Sequence, residues 1–426
     1  MFGFIYGALA DSLFVYLPAF SEFDVVTEEI PMKNNPNRWS SLKRWVGAGG
    51  IFVAVFFAAG TLNPGALRAD SHDDDRDGNR HDFVQTNLVS DISGLAKITD
   101  SQLVNPWGVS HLATSPFWTS NQGTNTATLY SVTNGTNVNK VPINPPSGVV
   151  LIPLTSGGPQ GPTGQVSNSN AASFPVKNGG DGGFARFIFA NLNGTISAWD
   201  GGPTAFVQAT TAGAVYTGLT INGAQTRLYA VNAVSGGIDV FDSTFSPLSL
   251  GSGAFVDPFL PAGLTPFNVQ DITGDIYVTY APPGRANQIS APSGAGAVAV
   301  FDEDGNFIKE LIVGSRLSAP WGITLAPPSF GRFGSHLLVA NFSFLHSEIN
   351  AFDPINGKLR GTLRIDTGTN SPGGLWTIAF GVGGSNGSPD VLYFTDGING
   401  ERDGLFGAIA PQRKAPEHEC EDCDSQ

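Results

Sequence analysis

Apolar positions between residues 83 and 411 fall in short dense runs, each broken by a turn of Asn, Asp or Gly and then resumed. The pattern recurs six times. It appears as "FWTSNQGTNTATLYSV" from Phe117, "FIFANLNGTISAWD" from Phe187 and "LYAVNAVSGGIDVFD" from Leu228. It returns as "IYVTYAPPGRANQISAPSGAGAVAVFD" from Ile276, "LLVANFSFLHSEINAFD" from Leu337 and "LYFTDGINGERDGLFGAI" from Leu392. Runs of β-branched and aromatic residues bounded by turn formers predict strands, and two runs flanking one turn predict a hairpin. Most hairpins follow a short apolar opener: "PWGVS" at Pro106, "YTGLTI" at Tyr216, "PFNVQD" at Pro266, "PWGITL" at Pro320 and "LWTIAF" at Leu375. Before the second hairpin the nearest candidate is "TGQVSN" at Thr163, a weaker match.

The closing residues Asp200, Asp242, Asp302 and Asp353 recur at irregular intervals of about fifty positions, which suits four-stranded blades with variable loops. One such blade cannot hide both faces, whereas six around an axis can. The expected fold is therefore all-β, a six-bladed β-propeller over residues 83–411. Each repeated residue then has a physical task. Pro in the opener is expected to hold the preceding residue extended. The aromatic supplies packing surface between neighbouring blades. Gly108 and Gly322 remove a side chain where the innermost strands crowd the axis. The Asp of "FD" or "WD" accepts backbone N–H groups in the following turn. Ring closure needs the ends to meet, and "FVQTNLVSDI" from Phe83 is expected as the outer strand of the last blade, beside "GLFGAIAP".

Ahead of the propeller the pattern changes. Lys33, Arg38, Lys43 and Arg44 precede an uncharged run from Trp45 to Leu62 and small residues up to Ala69. This predicts a secretory signal over residues 32–69, cleaved near Ala69, and hence a secreted or periplasmic protein; an uncleaved membrane anchor is the alternative. Met1 and Met32 are the two methionines, and residues 1–31 lack a basic leader, so translation from Met32 with an upstream extension is expected. "DSHDDDRDGNRHD" over residues 70–82 has the composition of a solvated linker. Asp73, Asp75, Asp77 and Gly78 mimic the opening of a calcium loop, but Val84 stands where the bidentate Glu belongs.

With 54 Gly and 29 Pro and only 14% charged residues, the composition favours many turns and short strands over long helices. The formal net charge of −14 repels phosphate backbones and excludes nucleic acid as the expected partner. Both cysteines, Cys420 and Cys423, lie in the acidic tail, 412–426, so no disulfide is expected within the propeller.

Taken together in order, "TNLVSDISGLA", "LVNPWGVS", "AVYTGLTI", "PFNVQDITGDIYVTYA", "APWGITLAPPSFGRFGSHLLVANF", "INAFDPINGKLRGTL", "GLWTIAF" and "DGLFGAI" resemble an uncharacterised family of exported bacterial proteins predicted to be six-bladed β-propellers of NHL/lactonase-like architecture. The resemblance covers about residues 83–410 and implies that fold and export, with no reaction, substrate or catalytic residue attached. Some members end in a hydrophobic sorting anchor, and "RKAPEHECEDCDSQ" has no apolar span to match it.

Two functions fit such a fold. The leading one is a monomeric recognition platform for an extracellular small molecule, glycan, peptide or protein. The alternative is a Ca²⁺-dependent lactonase-like hydrolase, with Ca²⁺ as its one expected cofactor and oxygen ligands converging on the axis. Asn121, Asn191, Asn232 and Asn341, with Asp396 in the last copy, stand at the ends of equivalent strands and could ring one mouth of the channel with Asn105. Capping its own hairpin turn is the role expected first of each. His346 and Glu348 share a loop, where functional residues gather. The long fourth-copy loop "APPGRANQISAPSGAG" is the most individual surface feature.

Overall fold

A computed structural model describes residues 25–31, 39–47, 50–54, 82–143 and 147–412. The chain divides into two units, Met1–Arg76 and Asp77–Gln426. In the first, the backbone of Val25–Pro31, Trp39–Gly47 and Gly50–Ala54 forms a three-stranded antiparallel sheet in sequence order. The signal expected over 32–69 otherwise lies outside the described residues, as do the linker up to residue 81 and the tail from residue 413. Among the described residues no helix is long and apolar enough to cross a membrane.

The second unit is a six-bladed β-propeller. Its innermost strands are the six openers: Pro106–Ser110, Pro162–Ser167, Tyr216–Ile221, Thr265–Ile272, Pro320–Leu325 and Leu375–Phe380. The weak second opener is thus a full member, starting one residue earlier at Pro162. Each pairs antiparallel with the first strand of its hairpin, and each hairpin supplies the middle two strands of its blade. Those middle strands are buried on both faces, which is why they read as unbroken apolar runs such as Phe187–Asn191 and Leu337–Asn341. Six apolar clusters fill the six gaps between neighbouring blades, and a seventh occupies the axis.

Phe83–Ser90 pairs with Leu405–Pro411 as the fourth strand of the sixth blade, so the first strand of the propeller closes the last blade. Leu88 and Val89 are fully buried there, and the Gln412 N–H donates to the Asp82 carbonyl at 2.8 Å. Fourth strands vary more than the rest. In the first blade, Asn137–Lys140 and Val150–Leu151 share the position. In the third, the outer segment meets Gly237–Asp242 only around Pro247 before peeling away.

The closing Asp residues hold turns. Asp242 Oδ1 accepts the Thr244 and Ser246 N–H groups at 2.8 and 3.0 Å, and Asp302 Oδ1 those of Asp304 and Asn306, both at 2.9 Å. The expectation that opener prolines follow an extended residue is overturned at two of them, where Asn105 and Ala319 have φ of 44° and 46°; before Pro162, which starts the second inner strand, Gly161 has φ of 110°. The chain must swing into the axis at these points, and hydrogen bonds described below hold Asn105 in a conformation that costs most residues energy.

Candidate functional site

All six inner strands carry a register shift near their start. Such bulges re-aim side chains, and here they gather the second opener residue of each blade at the axis: Trp107, Thr163, Thr217, Phe267, Trp321 and Trp376. The third opener residue meets the next blade. A Cβ on Gly108 would stand 2.5 Å from Thr163 O, and one on Gly322 2.2 Å from Trp376 O. Gly164 and Gly218 are equally confined. Where the third residue is not Gly it bonds across the gap instead. Asn268 Nδ2 donates to Trp321 O at 2.9 Å, and Thr377 Oγ1 to Trp107 O at 2.8 Å.

The aromatic residues close one end of the axis. The rings of Trp107 and Trp376 stack at 3.5 Å, Trp321 meets Trp376 edge-on at 5.5 Å, and Phe342 stacks on Trp376 at 4.3 Å. Trp107, Trp321, Trp376 and Phe342 are each at least 96% buried. Beneath them the axial cavity, lined by residues such as Gly108, Gln165, Asn268 and Thr377, holds about 30 Å³.

Loop 282–296 of the fourth blade covers this floor. Its Arg285 guanidinium lies 3.9 Å above the Phe342 ring and 5.2 Å from that of Trp376, and it pairs with Glu401 on the corresponding loop of the sixth blade. Burial lowers the Arg285 pKa, and Glu401 opposes that shift. Glu401 Oε1 accepts from Asn105 Nδ2 at 2.9 Å, which also donates to Gln122 Oε1 at 2.8 Å. Trp376 Nε1 donates to Asn105 Oδ1 at 2.9 Å. Arg285, Glu401, Asn105, Gln122 and Trp376 therefore form one polar network from the first, fourth and sixth blades at the mouth. The indole nitrogen of Trp107 is buried without a hydrogen-bond partner among the described residues.

Of the residues singled out in the sequence, Asn105 belongs to this network. The others stand around it at strand ends, engaged locally. Asn121 Nδ2 donates to Thr128 Oγ1 at 2.9 Å, and Asn191 Nδ2 to Ser197 Oγ at 3.1 Å. Asn232 Nδ2 donates to Asp239 Oδ2 at 3.0 Å. Asn341 accepts the Ser318 N–H at 3.0 Å and donates to Arg316 O at 2.8 Å. Asp396 Oδ1 accepts the Gly374 N–H at 2.8 Å, while Oδ2 has no partner among the described residues. Burial pushes this carboxyl up to about 7, against the pull of the Gly374 bond. Glu348 begins a strand and pairs with Arg316 at 3.2 Å. The His346 backbone bonds to Ser343 O, and its ring forms no hydrogen bond among the described residues. Arg285, Glu401 and Gln122 join the site without a motif to point to them; the one sequence signal for Arg285 is a lone cation in a loop otherwise of Gly, Pro, Ala and small polar residues. Among the described residues no three His, Cys, Asp or Glu side chains gather as a metal site.

Fold and site together define a closed six-bladed propeller with an aromatic floor under one mouth. No family model matches the chain. Uncharacterized protein R640 of Acanthamoeba polyphaga mimivirus is 29% identical over 251 residues, 56% of this chain and 45% of that protein. The chain therefore spans less than half the length of R640. Uncharacterized proteins R648 and L690 of the same virus are 29% and 28% identical. Those matches cover 76% of this chain in each case, and 78% and 84% of the viral proteins. Among solved structures, a streptogramin B lyase superposes with a TM-score of 0.44 at 12% identity, covering 78% of this chain and 98% of the lyase. A protein of unknown function from Bacteroides thetaiotaomicron gives 0.47 at 10%, covering 87% and 82%. Likenesses at that level carry no functional argument.

Proposed function

We propose that the protein is an exported, monomeric recognition platform that holds an extracellular glycan, peptide or protein on the loops around its axial mouth. One observation carries the reading. The axis contains about 30 Å³ of space beneath a tryptophan floor, room for a water or two, whereas small-molecule sites run to roughly 300–1,000 Å³. A ligand then docks on top of the wheel. Loops 282–296 and 342–347 offer a firm surface for it, because the Phe344 N–H donates to Ile289 O at 3.0 Å and Arg285 ties to Glu401. Leu345, 62% exposed, and the half-buried Phe344 supply apolar contact beside them. Export is supported by the basic leader and apolar run of residues 32–69.

The test pairs glycan and peptide arrays with a lactone and phosphotriester screen, run in Ca²⁺ and in chelator. Array binding that falls at least tenfold in Leu345→Asp, with no turnover in either buffer, is the expected result. Ca²⁺-dependent turnover abolished by Asn105→Ala would replace the platform with the hydrolase.

A further inference from the structure

The wall between the third and fourth blades contains three shielded oxygens with no hydrogen-bond partner among the described residues: Asp257 Oδ2, Tyr280 Oη and Glu310 Oε1. Tyr280 lies opposite Ala297, and Glu310 opposite Ala299, on neighbouring strands of the fourth blade. Residues 297 and 299 share one face of their strand, and their small side chains leave the phenol room to lie across toward Glu310. Asp257 is brought in from the connection between the blades. The Phe255 N–H donates to Gly305 O at 2.8 Å, and the Phe259 ring rests 5.9 Å from Phe307, so both neighbours hold the connection against the fourth blade.

The three groups act on one another electrically. Burial, then the charges of Asp257 and Glu310, push the Tyr280 hydroxyl far above its ordinary range. Burial, then Asp257, raises the Glu310 carboxyl. No Lys, Arg or His forms an ion pair with Asp257 or Glu310 among the described residues. Lys309, next in sequence, bonds instead to the carbonyls of Pro354 and Ile355. The phenol carries a single proton, enough for only one of the two carboxylates. A buried carboxylate oxygen left without proton, donor or cation is strongly unfavourable.

We propose that Asp257, Tyr280 and Glu310 form a cation site, completed by water, for a hard divalent ion of the Ca²⁺ class. Oxygen-only donors from an irregular connection and two strands suit the adaptable coordination of Ca²⁺ better than the strict octahedron of Mg²⁺. The site lies away from the axis, binds the inter-blade connection to the fourth blade, and stands independently of what the mouth recognises.

Chelator-treated full-length protein, titrated calorimetrically with CaCl₂ and melted with and without it, tests the assignment. One Ca²⁺ per chain and a rise in Tm on adding it are expected. Asp257→Asn combined with Glu310→Gln should weaken that isotherm at least tenfold and abolish the Tm rise, while melting in chelator no lower than the parent. Tyr280→Phe should weaken binding several-fold at unchanged stoichiometry. Should the double variant fail to fold, Glu310→Gln alone carries the comparison. A parent that binds no Ca²⁺ at millimolar concentration overturns the site. So does an isotherm that the carboxyl variants leave unchanged, which would move the ion elsewhere, for instance to Asp73, Asp75 and Asp77.

Discussion

Gly322 shows how little freedom a residue at the axis has. An added methyl would press on the Trp376 carbonyl of the next blade, an atom fixed by its own strand. Gly322→Ala should therefore cost about 1–3 kcal/mol in urea unfolding, the range for overpacking a tight core. A midpoint unchanged within error would show that the inner strands can spread. Asp396 makes a different prediction at the same scale. Its folded pKa, about 7, lies above the ordinary carboxylate value, so the folded state holds the proton more tightly than the unfolded chain. Its contribution to stability is fully present at acid pH and is lost as pH rises through about 7. Asp396→Asn keeps an acceptor for the Gly374 N–H and has no charge to bury. Stability curves of parent and variant should diverge between pH 4 and 7, the parent falling; parallel curves would refute the assignment.

At the scale of the element, the legible parts of the sequence were those buried on both faces. The middle strands appear as "FIFAN" or "LLVAN" because apolar residues are required toward both neighbouring blades. Openers were readable where an aromatic residue marked them and faint at Pro162–Ser167, which has none and where Thr163 hydrogen-bonds to Tyr216 O at 2.9 Å. Apart from Phe83–Ser90, expected from the sequence as the outer strand of the last blade, fourth strands left almost no trace. Phe206–Thr210 and Leu359–Arg364 bury one face in part, so alternation is weak and polar residues are tolerated throughout. The mouth network was hidden for another reason. Asn105, Gln122, Arg285 and Glu401 come from three blades, and no local pattern records that a cation in one loop will meet a carboxylate more than a hundred positions away. Asn105 itself was singled out, though its left-handed backbone was not expected.

At the scale of the whole molecule, closure decides whether six marginal sheets behave as one folding unit. The seal consists of a seven-position register between Leu405–Pro411 and Phe83–Ser90, with Leu88 and Val89 buried behind it. Burying such side chains is worth roughly 1.5–3 kcal/mol each. Deleting residues 83–92 should abolish the single cooperative unfolding transition or cause aggregation through the exposed edge of the sixth blade. An unchanged melt would mean that the clusters between the blades suffice without the seal.

The hydrogen bond from Gln412 to Asp82 has a topological consequence. Start and finish of the wheel are side by side, so a short peptide could join them and a fresh pair of ends be opened in the turn between any two neighbouring sheets. Every sheet would keep both companions, and only the address of the seam would change.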